Sequence, residues 1–484
     1  MCIRGQALID GQFVDALSER SFASVSPIDG ATLTQVADCG PEDVDLAVAA
    51  ARRAFADGRW AKRAPAERKT VLCRLAELVR AHRDELALLE TLDMGKPISD
   101  STSIDVRAVA NCFAWYGEAI DKIYDEIAPT PSDTLALVTR EPLGVVAAVV
   151  PWNFPMLMAS WKVAPALATG NSVVLKPSEK SSLTAIRLAE LALEAGVPQG
   201  VFNVVTGWGP DTGQALGRHM DVDGLFFTGS TQVGRHYMQY AAQSNLKKIG
   251  LELGGKSPNI ILSSYRDIRH AAETSANSAF FNQGEMCTCP SRLIVEESVH
   301  DEVVEVLVAR SKAFVPGHPL DPATQFGAMV DESHTTRVME FVAVAEADGA
   351  RLAIGGRRVC EESGGCFIEP TIFDEVRNDM RIAQEEVFGP MLSVIPVKDV
   401  DEAIHVANDS PFGLASSIWT DDLSTAHRAS RELRAGLTYV NCYDCDDMTV
   451  PFGGFKESGI GRDKSLHALD KYTELKTTWI RLGQ

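Results

Sequence analysis

Short apolar runs alternate with amphipathic segments along most of the chain, and this alternation predicts the fold. Apolar residues recur at helical spacing after Pro41 and after Pro65, so the N-terminal third is predicted to be largely helical. From Leu135 onwards the pattern changes to short apolar runs separated by segments with helical periodicity. Strands that alternate with helices in this way indicate a doubly wound parallel sheet, whose carboxyl edge binds nucleotides.

The alternation predicts two α/β units joined at Gly254-Gly255, a plausible hinge. The segment 472–482 is predicted to be a lone strand that must pair elsewhere, another subunit being one candidate. A strand is predicted at 135–140, and the first unit has predicted strands at 144–150, 172–175, 202–205, 224–228 and 248–251, with helices at 155–168, 181–195 and 230–241. The second restarts with strands at 259–262 and 292–295 and with helices ending near 281 and spanning 299–313.

Composition narrows the class of partner. The 484 residues include 66 acidic and 46 basic ones, a formal net charge of −20. This charge disfavours nucleic acid and an anionic membrane as main partners, although a local basic pocket for a small anion stays open. The N-terminus lacks the apolar core of a signal peptide, and the ten cysteines are scattered. We therefore predict a cytoplasmic, reduced protein without a membrane or nucleic-acid partner.

Cys287 is the first candidate for chemistry. It follows a glycine-containing turn after an apolar helix, where an exposed thiolate can act as a nucleophile. The alternative is a buried cysteine that packs as a small hydrophobe, which for an isolated cysteine is the commoner outcome. Cys287 and Cys289 together with Cys442 and Cys445 also suggest a zinc site, but their spacing differs from that of paired C-x₂-C motifs, so no metal is predicted.

Two further polar residues follow predicted strands. Glu252 ends an apolar strand, where a carboxylate with a raised pKa can serve as a general base; the alternative is a solvated or salt-bridged glutamate. Asn153 lies in a loop bounded by Pro151 and Pro155, where its amide can donate to an oxyanion. Its alternative role is to cap the next helix.

Two loops are suited to a dinucleotide. Gly229-Ser230 joins a strand to a helix whose N-terminus suits a pyrophosphate, although the sequence is not the G-x-G-x-x-G fingerprint. Lys176 and Glu179 follow another strand and offer one cation and one carboxylate to phosphates and a ribose. The alternatives are an N-capped helix and a solvated turn.

Together these residues resemble the aldehyde dehydrogenase superfamily, in order and almost without gaps from Phe13 to Trp479. Within it the sequence is most similar to the bacterial γ-glutamyl-γ-aminobutyraldehyde and 4-guanidinobutyraldehyde dehydrogenases, through 91–98 and 461–472. The motifs that carry the broader resemblance are 151–155, 176–179, 227–230, 252–258, 284–287, 385–390 and 451–461.

The resemblance implies oxidation of an aldehyde to a carboxylic acid through a cysteine thiohemiacetal and a thioester. Cys287 would be the nucleophile, Glu252 the general base, and Asn153 the oxyanion donor with the backbone N–H of Cys287. Lys162 and Glu474 are similar in position to a proton relay. NAD, with NADP weaker, would contact Trp152, Lys176, Glu179, Gly229, Ser230, Glu386 and Phe388. The substrate tunnel would comprise Phe154, Trp161 and Phe452, with Asp444, Asp446 and Asp447 at its outer end.

The resemblance also implies a domain plan: an NAD-binding domain in 1–120 and 143–253, a catalytic domain in 254–465, and an oligomerisation arm in 121–142 and 466–484. A homo-oligomer is expected, with dimer and tetramer both open. The substrate is expected to be an ω-amino, γ-glutamylamino or guanidino aldehyde from polyamine or arginine breakdown. A general aliphatic or betaine-type enzyme, a CoA-acylating enzyme and an inactive binding protein on the same fold are the alternatives.

Three residues depart from the pattern of many relatives. Glu285 stands where a glutamine is common, and Cys289 and Pro290 stand for alanine and glycine. A carboxylate near the thiol is expected to raise the thiol pKa slightly. The acidic run from Asp444 to Asp447 contains no cation and predicts attraction for a distal ammonium or guanidinium, the alternative being a solvated acidic loop.

Overall fold

The structure, a computed structural model, describes residues 3–483 and is built around two large sheets. The first sheet has eight strands, and its five central strands run parallel. Their apolar residues are buried on both faces, as expected for strands covered by helices on each side. In spatial order the strands are Gln12–Val14, Ala7–Ile9, Phe202–Val204, Ser172–Lys176, Val145–Val149, Gly224–Thr228, Lys248–Glu252 and Gly459–Ile460.

The second sheet has seven strands, of which six run parallel and one edge strand is antiparallel. It has its own apolar core, separate from the clusters that pack on the first sheet. In spatial order its strands are Arg351–Ile354, Thr371–Asp374, Met391–Val397, Arg292–Glu296, Pro258–Ile261, Ala415–Trp419 and Leu437–Val440.

Helices cover both sheets. A π-helical turn at Ser101–Asp105 precedes the helix Val106–Ala119. The helices on the N-terminal side are Pro41–Ala56, Pro65–Ala81, Arg83–Met94, Ile98–Asp100, Val106–Ala119, Pro155–Ala168, Leu183–Ala195, Gln214–Arg218 and Thr231–Ala242. Those on the C-terminal side are Ile268–Phe280, His300–Ser311, Glu332–Ala347, Arg381–Gln384, Val400–Asn408 and Leu423–Glu432.

A three-stranded antiparallel sheet stands apart from the two large ones and joins Glu126–Ala128, Thr134–Pro142 and Thr473–Arg481. The strand predicted to lack a neighbour therefore pairs within its own chain, with Thr134–Pro142. Sequence separation hid this partner, because strands far apart in the chain pair only through the tertiary fold. Two short hairpins join Ser21–Val25 with Thr32–Ala37 and Arg358–Val359 with Phe367–Ile368, and a two-stranded sheet pairs Phe412–Gly413 with Phe455–Lys456.

The predicted fold class, two doubly wound α/β units plus a β arm, is confirmed. Two features were not predicted. The N-terminal strands extend the first sheet antiparallel, and Gly459–Ile460, within the segment expected to be catalytic, pairs with the end of Lys248–Glu252. Among residues 3–483, no helix is both long and apolar enough to span a bilayer.

Candidate active site

A cavity of about 420 Å³ opens where the carboxyl edge of the first sheet faces the second sheet. Most of the predicted site residues meet there, although they come from widely separated parts of the chain. The predicted residues that line it are Trp152, Asn153, Phe154, Trp161, Gly229, Ser230, Glu252, Cys287, Glu386, Phe388, Asp444, Asp446 and Phe452.

A strained turn presents Cys287 to this cavity. The helix Ile268–Phe280 ends in a short 3₁₀ turn in which Asn282 and Gln283 adopt φ of +48° and +56°. Gly284 follows at φ +72°, and a Cβ there would lie 2.3 Å from the carbonyl oxygen of Gly389. Consecutive left-handed residues are costly and need support from their surroundings. The turn is therefore held by the fold so that the thiol points into the cavity.

The thiol of Cys287 is half-buried and its pKa is raised. Burial is the largest cause, followed by the charges of Glu386 and Glu252. Only the thiolate is a strong nucleophile, so Cys287 needs help to lose its proton. A ligand with positive charge or a nearby base would provide that help.

Asn153 holds an amide donor beside the thiol. Its Nδ2 donates to the backbone carbonyl of Glu285 at 2.9 Å, which engages one of its two N–H groups. Asn282 donates to the carbonyls of Asn153 and Glu285, both at 3.1 Å, and so fixes the loop that carries the amide. Among residues 3–483 its second N–H has no acceptor, so it is free to donate to a group bound in the cavity.

Glu252 is a buried carboxyl whose two oxygens have no hydrogen-bond partner among the residues that the structure describes. Burial, and then the charge of Asp463, raises the pKa of Glu252 to about 8. Gly453 is close by, since a Cβ there would lie 2.7 Å from Oε1 of Glu252. An unpartnered carboxyl that titrates near neutrality has the properties of a general base.

The structure corrects the predicted partner of Lys162. Lys162 is buried and forms an ion pair with Asp463, which also pairs with Lys471. Glu474 lies instead on the arm strand, is 64% exposed and pairs with Lys248 at 3.0 Å. Its side chain points to solvent, so Glu474 cannot exchange protons with Lys162.

Asp463 was missed although it lies in the 461–472 motif. Its burial depends on a two-way backbone bridge with Phe452, at 2.8 and 2.7 Å, which the sequence does not reveal. Burial alone would raise the pKa of Asp463, but the adjacent Lys162 and Lys471 ammoniums hold it below its usual value. Asp463 is therefore ionised, and its charge contributes to the raised pKa of Glu252.

The predicted dinucleotide residues form two groups. Lys176 and Glu179 pair at 3.3 Å beyond the end of a strand, outside the cavity lining, and burial lowers the pKa of Lys176. Ser230 caps the helix Thr231–Ala242 through the N–H of Val233. Glu386 accepts from the backbone N–H of Gly255 at 2.9 Å.

Gly254 allows Glu386 to approach the strand end so closely. A Cβ at Gly254 would lie 2.1 Å from Oε2 of Glu386, so no other residue fits without a shift. Burial raises the pKa of Glu386 to about 7. The Gly254-Gly255 pair therefore serves close packing against Glu386 and the cysteine turn, since a Cβ at Gly255 would meet the Cys287 carbonyl at 2.4 Å.

Three basic side chains of the cavity lining were not predicted: Lys180, His334 and Arg337. Trp152 packs edge-on against both Phe388 and His334, with ring centroids 5.2 and 5.1 Å apart. Burial lowers the pKa of His334 to about 4, so it is neutral and its Nε2–H donates to the Phe388 carbonyl at 2.7 Å. His334 and Arg337 lie on the helix Glu332–Ala347, far from any recognised motif, so only the fold could reveal them.

Aromatic side chains form the remaining wall. Trp161 and Phe452 pack edge to face with centroids 5.0 Å apart, and Phe154 packs on Phe281. Of the acidic run, Asp447 is exposed, accepts from the Thr449 N–H at 2.8 Å and does not line the cavity.

The charge predicted for the acidic run is also corrected. Asp446 pairs with the buried Lys464, so the cation that was absent from the local sequence comes from elsewhere in the chain. Burial raises the pKa of Asp444 to about 7, which leaves it partly neutral at physiological pH. The run therefore carries much less free negative charge than its sequence indicates.

Two of the three departures, Glu285 and Cys289, have structural explanations. Glu285 is buried and accepts from the Val330 N–H at 3.1 Å, and burial raises its pKa, which disfavours a negative charge beside the thiol. Cys289 is buried with its Sγ 3.5 Å from the Ala279 carbonyl oxygen.

In residues 3–483, the one cluster of three potential metal ligands is His300, Asp374 and Glu375, which includes no cysteine.

Two doubly wound sheets around a cavity at the carboxyl edge of their strands have the architecture of a dinucleotide-dependent oxidoreductase, and the cavity holds a thiol, a buried carboxyl and an amide donor. The chain belongs to the aldehyde dehydrogenase family, which matches residues 13–478.

Individual relatives match over nearly their whole length. The NADP/NAD-dependent aldehyde dehydrogenase PuuC of Escherichia coli is 49% identical, with 100% of this chain and 97% of that protein covered. Among solved structures, a γ-glutamyl-γ-aminobutyraldehyde dehydrogenase from Burkholderia cenocepacia is 59% identical, with a TM-score of 0.98 and 100% and 98% of the chains covered. The indole-3-acetaldehyde dehydrogenase AldA of P. syringae, in complex with NAD+ and IAA, is 55% identical, with a TM-score of 0.99 and coverage of 100% and 97%.

Proposed function

We propose that this aldehyde dehydrogenase oxidises its substrate to the free acid with Cys287 as nucleophile, Asn153 as oxyanion donor and Glu252 as general base. The single observation that carries the proposal is the position of Glu252 in the Cys287 cavity with both carboxyl oxygens unpartnered among the described residues. A structural glutamate would be paired or solvated, because an unpartnered buried carboxyl is costly.

The residues around the cavity fit NAD. Gly254 gives Glu386 room against the strand end, and the buried Thr228 hydroxyl lines the cavity without a partner in residues 3–483. Glu386 and Phe388 would hold the nicotinamide ribose, Trp152, Gly229 and Ser230 the pyrophosphate region, and Lys176 with Glu179 the adenosine ribose. Bound NAD would accept the hydride from the substrate carbon. The printed names of PuuC and of the AldA complex support this choice.

The chain's own residues would do the remaining chemistry. The Cys287 sulfur bonds to the carbonyl carbon, and the resulting oxyanion is stabilised by the Asn153 amide and the Cys287 backbone N–H. After oxidation, Glu252 takes a proton from water, whose oxygen attacks the thioester and releases the acid and the thiol. Burial, and then the charge of Asp463, keeps the pKa of Glu252 high enough for this task, while Lys162 and Lys471 limit the rise.

The substrate proposed is an aldehyde with nitrogen at its distal end: an ω-amino, γ-glutamylamino or guanidino aldehyde. The name of the B. cenocepacia structure supports this class, and the aromatic walls of the cavity suit a chain of about four carbons. A neutral aliphatic or aromatic aldehyde is the second candidate, which the AldA structure favours.

The test is a kcat/KM panel of aldehydes with NAD and with NADP, without CoA. We expect the free acid as product and a partial preference for NAD, because Glu179 would accept bonds from the ribose and repel a 2′-phosphate. Lys176 beside it softens the repulsion. Glu179→Gln should raise relative use of NADP roughly tenfold, while the exposed control Glu194→Gln should not. Acid formation only by way of a CoA thioester, or NADP preferred by the wild type, would contradict the proposal.

We further propose that the arm sheet joins copies of the chain into a dimer or tetramer. Leu475 and Trp479 lie on one face of the strand Thr473–Arg481 and are 59% and 66% exposed. Exposed apolar side chains on one face are typical of an interface. The double variant Leu475→Asp with Trp479→Asp should give smaller species in size-exclusion chromatography with light scattering. Lys476→Asp, on the opposite face, is the control; equal masses for all three proteins would refute the proposal.

A cytoplasmic location is proposed as well. The cysteines that the structure describes are unpaired, as is usual in a reducing compartment.

A further inference from the structure

Lys464 is a fully buried cation that lies against the aromatic wall of the cavity. Its side chain is 0% exposed, and its Nζ lies 5.5 Å from the ring centroid of Trp161 and 5.9 Å from that of Phe452. Both distances are within the range of a cation–π interaction. Lys464 does not itself line the cavity, so it acts from behind the rings that do.

The backbone sets Lys464 in this place. Lys464 and Ser465 both have left-handed φ, +58° and +51°, and the Ser465 N–H donates to the Met448 carbonyl at 2.8 Å. The preceding Asp463 turns its side chain towards Lys162 and Lys471, whereas Lys464 turns towards the tunnel wall. Asp463 thus faces the lysines near Glu252, whereas Lys464 faces the aromatic side chains. The left-handed backbone at Lys464 and Ser465 is strained and persists only because the surrounding structure holds it.

The ion pair with Asp446 joins a buried cation to an exposed anion. Asp446 lines the cavity and is 61% exposed, while Lys464 is buried behind it. A distal ammonium on the substrate would have to share this carboxylate with Lys464. It would also approach two rings whose electrons already face a positive charge, which weakens any further cation–π attraction.

A second buried lysine lies against another aromatic side chain of the cavity, Phe154. The Nζ of Lys96 lies 4.0 Å from the ring centroid of Phe154, and this lysine pairs with the buried Asp105 at 2.6 Å. All three aromatic side chains predicted for the tunnel, Phe154, Trp161 and Phe452, therefore carry a lysine of the protein on their rings.

We propose that Lys464 is a specificity-determining residue that disfavours a bare distal ammonium or guanidinium and favours a distal group without net charge, such as an acylated amine. The inference rests on the proposed function and narrows its substrate class. An acylated amine keeps the nitrogen but has no ammonium. If the acyl group comes from an amino acid, it carries one ammonium and one carboxylate and has no net charge. Lys464 therefore repels such a substrate less than it repels a substrate with a lone ammonium.

The experiment compares three aldehydes of equal chain length: an ω-aminoaldehyde of three carbons, which does not close to a cyclic imine as the four-carbon compound does, its N-acyl derivative and the unsubstituted aldehyde. The wild type should prefer the N-acyl substrate to the bare amine by roughly tenfold in kcat/KM, the scale of one partly desolvated charge contact. Lys464→Met should remove most of this preference by lowering KM for the bare amine, with kcat for the N-acyl substrate unchanged.

Two further variants keep the test decisive. Lys464→Gln serves if the methionine variant folds poorly, and Lys398→Met removes an exposed lysine outside the cavity as a control for net charge. An unchanged preference in Lys464→Met, or a parallel loss on all three aldehydes with a lowered Tm, would overturn the specificity role. Failure of the proposed function is a distinct outcome, because the wild type would then oxidise none of the nitrogen-bearing aldehydes.

Discussion

Cys287→Ala is expected to abolish dehydrogenase activity, lowering kcat by roughly four orders of magnitude or more, as other nucleophile deletions do. In the proposed mechanism the substrate carbon bonds to this sulfur, and neither Asn153 nor Glu252 offers a nucleophile that could replace it. The loss is measured as NADH formation with a good aldehyde substrate, after Tm and oligomeric mass show that the variant is folded.

Cys289→Ala is the matched control. Cys289 is two residues away, yet its buried Sγ faces the Ala279 carbonyl instead of the cavity. We expect this variant to keep most of the activity. Equal losses in the two variants would contradict the assignment of Cys287 as the sole nucleophile and indicate a shared redox or metal role.

Glu252→Gln is expected to separate the two halves of the reaction. Both carboxyl oxygens lack partners among the described residues, so an amide of the same shape breaks no hydrogen bond in the fold. The charge of Glu252 also raises the pKa of Cys287, so its loss should not impede thiolate formation. Rapid-mixing kinetics should therefore show a burst of NADH near one per active site, followed by turnover slowed by roughly 10²–10⁴-fold.

The wild-type pH profile supplies an independent check. Glu252 accepts a proton only when it is ionised, and its pKa is raised to about 8, so turnover should increase with pH through that value. This step should vanish from the profile of Glu252→Gln. Loss of the burst together with turnover would show that Glu252 is needed before hydrolysis, for example to activate the thiol.

How much the sequence revealed differs between parts of the site. Cys287, Glu252, Asn153 and Ser230 each end or follow a strand or lie in a turn with a local signature, whereas Glu386 was implied only by the family resemblance. All five line one cavity. Parallel strands end at the same edge of a sheet, so residues that follow them in sequence come together in space.

The ion-pair partners of the charged site residues were predicted least well from the sequence. Glu474 was expected beside Lys162, but strand pairing with Thr134–Pro142 carries it into the arm, and Asp463 takes that place. Asp446 was expected to be a free anion, but Lys464 neutralises it. In both cases the partner is distant or unremarkable in sequence, and buried charges choose partners by proximity in the folded state.

The sequence by itself determined the α/β class and the family, and it predicted the nucleophile, base and amide donor, because periodicity and short motifs are local properties of the chain. Only the tertiary structure decided which charges meet: Asp463 between two lysines, Lys464 behind the aromatic wall, and His334 against Trp152 and Phe388. The physical reason is that burial and electrostatic pairing depend on distances between residues far apart in sequence, and the packing of the sheets sets those distances.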